Sequence, residues 1–275
     1  YARRADGSEG PEVGKINHAA SDYPLRIIAV PTTLSGAEYS DNAGVLDPQR
    51  KAKEGYRAPG LCPQAIIYDP DLGRYTPDWL WKSTAIRALD HAVEGLFSND
   101  CNSYLEGHFL HALRLFASSL PAMAANPDDL AARSLNQQAV WLACAGLGKV
   151  AHGASHGIGY VLGSLCGVPH GYTSCVMLPA VLAWNNQAGH NAQSEPRDGQ
   201  IATALGQPDA SASSAVKALV ASLDLPVSLP AVGVDESQLD EIAERAANHP
   251  VVRRNSRPIT RAEQVSEILA LAWNA

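Results

Sequence analysis

The chain has 275 residues, 46% hydrophobic and 18% charged, which is the balance of a folded globular protein and excludes a disordered one. Its formal net charge of -7, with no dense Lys/Arg stretch, argues against a nucleic-acid backbone as partner. No apolar run reaches the roughly 18 residues of a membrane span, so no membrane partner is expected, and the polar opening YARRADGSEG lacks the apolar core of a signal peptide.

Residues 1–24 read as a polar arm or loop, and a start on Tyr1 reads like the middle of a longer protein. LRIIAV (25–30), bounded by prolines, predicts a buried strand, AGVLD (43–47) a second, and QAIIYD (64–69) a third that ends at Pro70. A three-strand fragment buries little by itself, so it belongs to a larger sheet. At about residue 76 the texture changes. Thr76 as N-cap and Pro77 at the first helical position start a helix. Helical periodicity then predicts helices over roughly 77–97, 101–118, 127–146, 149–165, 171–186, 194–205, 211–223, 235–247 and 261–273. Asp235 with Gln238, and Thr260 with Glu263, have capping-box spacing.

The five cysteines are widely spaced and form no CxxC, so they read as packing residues of a protein in a reducing, cytoplasmic compartment. Three other features carry chemistry. In STAIRALDHAVEGLF (83–97), Arg87 and His91 lie four apart on one helix face. A lone helical histidine there is equally a packed side chain bonded to a carbonyl. In VAHGASHGIGYVLGSLCGVPHGYTSC (150–175), His152, His156 and Tyr160 fall on one helical stripe, and His170 follows a turn. Histidines from separate helices make a metal cage, although HGASH is not a zincin motif, because Gly153 stands where the general-base Glu would be. VPTTLSGAEYS (30–40) leaves a predicted strand and suits a phosphate- or ribose-binding turn, or is an ordinary polar turn.

Together and in this order, these segments resemble the iron-containing alcohol dehydrogenase and maleylacetate reductase family. PTTLSGAE is similar to its PTT signature, APGLCPQAIIYDPDL (58–72) to its strand and Asp-Pro exit, DHAVEGL (90–96) to its HAxE helix, and SHGIGYVLGSLCGVPHGYTSCVMLP (155–179) to its longest signature. The resemblance runs from about residue 25 to 186. It implies part of a Rossmann-like α/β nucleotide-binding domain (1–76) followed by an all-α domain (77–275), the dehydroquinate synthase-like fold, with the site in the cleft between them. It also implies that roughly 100 N-terminal residues carrying the pyrophosphate cradle are missing, so that this stretch alone binds NAD(H) poorly.

The resemblance further implies NAD or NADP as cofactor, contacted by Thr32, Thr33 and Ser35, and Fe or Zn ligands at His91, His156 and His170. Arg87 stands where metal-dependent members have an Asp. It has no lone pair to offer and repels a dication. Asp90 points about 100° away from His91 around the helix. His152 lies outside the family pattern, and Tyr160 replaces a catalytic-site histidine. The expectation is therefore a metal-independent reductase of a small polar substrate, a carboxylic acid that Arg87 grips, with Arg87, His91, His156, Tyr160 and His170 doing the chemistry in a homodimer. The alternatives are a metal-dependent alcohol dehydrogenase on the three histidines and a non-catalytic binding or assembly module.

Overall fold

The computed structural model describes residues 16–18, 26–47, 52–187 and 194–275. Its strands form two small sheets. In the first, β1 (Ile16–His18) runs parallel to β4 (Ala52–Arg57), and β3 (Asn42–Asp47) lies antiparallel on the other side of β4, with Gly44 opposite Gly55. In the second, β2 (Ile28–Ala29) runs parallel to β5 (Ala65–Ile66). The described residues alone do not form a doubly wound sheet. β4 is a strand that the sequence hides, because AKEGYR has neither apolar alternation nor β-branched residues. The arm expected over 1–24 lies outside the described residues apart from β1.

After the short α1 (Pro70–Gly73), the chain is helical: α2 (Asp78–Phe97), α3 (Ser103–Ala125), α4 (Leu130–Ala143), α5 (Ala154–Leu165), α6 (His170–Asn185), α7 (Ser194–Ala204), α8 (Ala212–Ser222), α9 (Leu239–Ala247) and α10 (Ala262–Trp273). The N-cap of α2 is Pro77, not Thr76, whose hydroxyl instead donates to Thr32 O at 2.5 Å and ties the PTT turn to the helical part. α3 runs seven residues beyond the expected end at 118, through Pro121, because Leu120 and Met123 are fully buried in the core it shares with α4. The Asp235–Gln238 capping box forms. At α10 the Gln264 carboxamide does the work expected of Glu263, accepting from Thr260 N at 2.8 Å and Arg261 N at 3.1 Å.

α6 is the central helix and is buried on all sides. Cys175, Leu178 and Leu182 face a core built with α2, α3, α4 and α8, whereas Val176, Met177, Val181 and Trp184 face a second core built with α5, α9 and α10. Helices α2, α5 and α6 therefore pack directly on one another, and their polar residues meet between the two cores.

Candidate active site

The site begins with a buried acid on α2. Glu94 accepts from Gly153 N at 2.8 Å and Ser155 N at 2.7 Å, and Asn255 Oδ1 accepts from Ala154 N at 3.2 Å. These contacts satisfy the orphan N–H groups at the start of α5 and place a negative charge at its positive end. Gly153 is required here, since a Cβ would meet Asn255 Oδ1 at 2.7 Å and Glu94 Oε1 at 3.1 Å. The helix accordingly starts at Ala154, not near 149, and His152 sits in the lead-in loop.

Glu94 also receives the Nδ1–H of His156 at 2.7 Å, which turns His156 Nε2 toward His91 Nδ1, 2.8 Å away. His152 Nε2 comes within 3.1 Å of the same His91 nitrogen. Beneath them Asp90 Oδ2 accepts from Ser155 Oγ and Ser174 Oγ, both at 2.7 Å, and lies 3.4 Å from His156 Nδ1. Arg87, only 1% exposed, donates from Nη1 to Ser174 Oγ at 3.0 Å and lies 3.7 Å from Asp90. Its guanidinium sits 5.4 Å from the Tyr160 ring centre. Tyr160 stacks on His170 at 6.2 Å and packs against His249 at 5.6 Å.

The electrostatics follow from this packing. Burial and the Arg87 charge work against a proton on His156, but Asp90 and the hydrogen bonds to Asp90 and Glu94 outweigh them, so its pKa lies above the ordinary histidine value. Burial, then the charges of His156, His152, Arg87 and His170, hold His91 well below that value. Burial, with His156 and Arg87, does the same to His152. Burial would raise Asp90, but His156 and Arg87 hold it down. Asp90 and Glu94 thus favour a proton on His156, whereas burial and the neighbouring positive charges favour the neutral form of His91 and His152.

Of the residues expected from sequence, the structure brings His91 and His156 together and places Arg87 beneath them. Tyr160 and His170 form a neighbouring pair, and His170 is exposed. Thr32, Thr33 and Ser35 lie on the turn that leaves the C-terminal end of β2, with Thr33 Oγ1 and Ser35 Oγ 3.4 Å apart. Leu34 N donates to Thr84 Oγ1 at 3.0 Å, anchoring that turn on α2 roughly 10 Å along the helix from His91. Sequence reasoning places Asp90 and Glu94 four apart but gives neither a catalytic role, sets His152 aside, and misses Asn255 and His249. The i, i+4 spacing of Asp90 and Glu94 was the available signal for the two acids.

Residues 82–273 match the family described as Fe-containing alcohol dehydrogenase, C-terminal. The chain is 32% identical to a maleylacetate reductase of Burkholderia cepacia over 92% of this chain and 68% of the relative. It is 33% identical to a dehydrogenase of Alternaria alternata over 89% of this chain and 70% of that protein. Among solved structures, maleylacetate reductase from Rhizobium sp. strain MTP-10005 superimposes with a TM-score of 0.79 at 28% identity, covering 90% of this chain and 67% of that one.

Proposed function

We propose a reaction for this chain from one premise: it belongs to the Fe-containing alcohol dehydrogenase family. The reaction is NAD(P)-linked interconversion of a carbonyl and an alcohol on a small polar substrate, of maleylacetate reductase type and independent of metal. Relatives named maleylacetate reductase support the substrate class, a small carboxylic acid. The observation that carries the reading is the hydrogen-bonded line His91–His156–Glu94, with contacts of 2.8 and 2.7 Å.

The iron that the family description implies does not fit the ligand positions that the resemblance assigns. Arg87 occupies one of them and has no lone pair, and His170 joins neither group of converging ligand atoms among the described residues. In the reducing direction a bound NAD(P)H would supply the hydride for the carbonyl carbon while the carbonyl oxygen takes a proton, giving alcohol and oxidised cofactor. Thr32, Thr33 and Ser35 would hold that cofactor at the strand end. His156, which Asp90 and Glu94 hold toward its protonated form and which is bonded to His91, sets positive charge against the developing alkoxide. Tyr160, flanked by Arg87 and His170, delivers the proton. Arg87 acts as a fixed buried charge rather than as a fork on the substrate. The same proposal divides the chain at residue 76 and places it as a homodimer in the cytoplasm. The unpaired cysteines agree with a reducing compartment.

Steady-state turnover of NADH and NADPH on a panel of small keto acids and aldehydes tests it. Turnover is expected with at least one cofactor, and Tyr160→Phe should lower kcat by roughly 100-fold or more with little change in KM. No turnover by folded protein with either cofactor contradicts the reading, and an unchanged kcat in Tyr160→Phe removes Tyr160 from it.

A further inference from the structure

The reaction proposed above leaves the acid group of the substrate without a receiver. Arg87, the residue expected to grip it, is 1% exposed and is held by Ser174 and Asp90. The receiver has to stand beside Tyr160, because a carboxylate a few bonds from the carbonyl lies near the group that protonates that carbonyl. Two imidazoles flank the Tyr160 ring, His170 at 6.2 Å and His249 at 5.6 Å between ring centres. His170 is exposed, and water competes there for the same hydrogen bond, whereas His249 is half-buried.

His249 lies in the turn that follows α9, and its backbone is fixed. Its N–H donates to Ala246 O at 2.9 Å, and its carbonyl accepts from Arg253 N at 3.3 Å. The turn rests closely on α5, where a Cβ on Gly157 would meet Val252 N at 2.8 Å. Tyr160 is on the same helix, so one contact surface sets the position of both rings. Val251 N donates to His249 Nδ1 at 3.3 Å, which puts the proton of the neutral ring on Nε2. Burial lowers the pKa of His249, and no protein carboxylate offsets that. The neutral form is favoured, with one ring N–H to give.

Resting on that reaction, we propose that His249 is a specificity-determining residue: its Nε2–H receives the carboxylate of a keto-acid substrate while Tyr160 faces the carbonyl oxygen. An N–H donated to a carboxylate is a charge-assisted hydrogen bond, and partial burial keeps water from replacing it. An aldehyde of the same length has no acid group and makes no such bond. It leaves the half-buried N–H unpaired, so the site favours the keto acid.

The test compares kcat/KM on a keto acid and on the aldehyde of the same length, in wild type, His249→Ala and His249→Gln. His249→Ala should lower the keto-acid to aldehyde ratio by about tenfold or more, chiefly through the KM of the acid. His249→Gln offers a side-chain N–H in place of the imidazole one and should recover most of that ratio. A second measurement needs neither substitution nor turnover. Titrating the wild-type protein with a saturated carboxylate of the same length should move the imidazole nitrogen resonances of His249, and the matching primary alcohol should not. A ratio unchanged in folded His249→Ala, or His249 resonances that ignore the carboxylate, overturns the proposal. Absence of turnover by folded wild-type protein contradicts the reaction, and the resonances still decide whether His249 receives a carboxylate.

Discussion

At the scale of single residues, the PTT turn depends on Gly36. Its φ of 74° is a left-handed conformation, and an added Cβ would collide with Cys144 Sγ in the core. Gly36→Ala should cost about 2–5 kcal/mol in denaturant unfolding, combining roughly 1–2 from the backbone and 1–3 from overpacking. Adding Cys144→Ala should recover the overpacking part and leave only the backbone cost. A double variant no more stable than Gly36→Ala alone would mean that the thiol is not the obstacle. This need for glycine was not legible in the sequence, where Gly36 and Cys144 are far apart and nothing marks them as neighbours. The same holds for Glu38, whose carboxylate accepts from Tyr68 OH at 3.0 Å while Tyr68 OH pairs with Tyr39 OH at 2.7 Å. Burial pushes the Glu38 carboxyl above its ordinary value.

At the scale of elements, the start of α5 holds the candidate site in shape. Asn255 accepts from Ala154 N, and its own amide donates to Asn185 Oδ1 at 2.7 Å and Arg257 O at 2.8 Å. Asn255→Ala removes a cap and leaves buried partners unsatisfied, so thermal or denaturant unfolding should show a loss of about 2 kcal/mol. A loss below about 0.5 kcal/mol would show that water replaces the amide without cost. The helices from α2 onward were legible because their apolar faces repeat at helical spacing. Element ends were less so. α3 passes through Pro121 because burying Leu120 and Met123 outweighs the missing N–H. α5 starts late because its cap comes from Glu94 and Asn255, a long way off in sequence. For the same reason the histidines could be named from sequence, but not the loop placement that makes His152 a neighbour of His91.

At the scale of the whole molecule, the buried histidines link folding to pH. Burial holds His91, His152 and His249 below the ordinary value of 6.5, two of them well below. A group with a depressed folded value stabilises the fold above its unfolded value, and that contribution is lost as pH falls through 6.5 toward the folded value. His156 works the other way: its raised value stabilises below 6.5, and that contribution is lost as pH rises. Three depressed groups outnumber one raised group, so the melting temperature should fall between neutral and mildly acid pH. A melting temperature that rises on acidification would contradict this balance. We propose that reduction here runs on imidazoles and a phenol without metal. It is tested most directly by NAD(P)H-linked turnover of a keto acid before and after exhaustive chelation, with the metal content measured in both samples. Turnover is expected to be kept when the metal is gone. Turnover that vanishes on chelation and returns with added iron or zinc would contradict it.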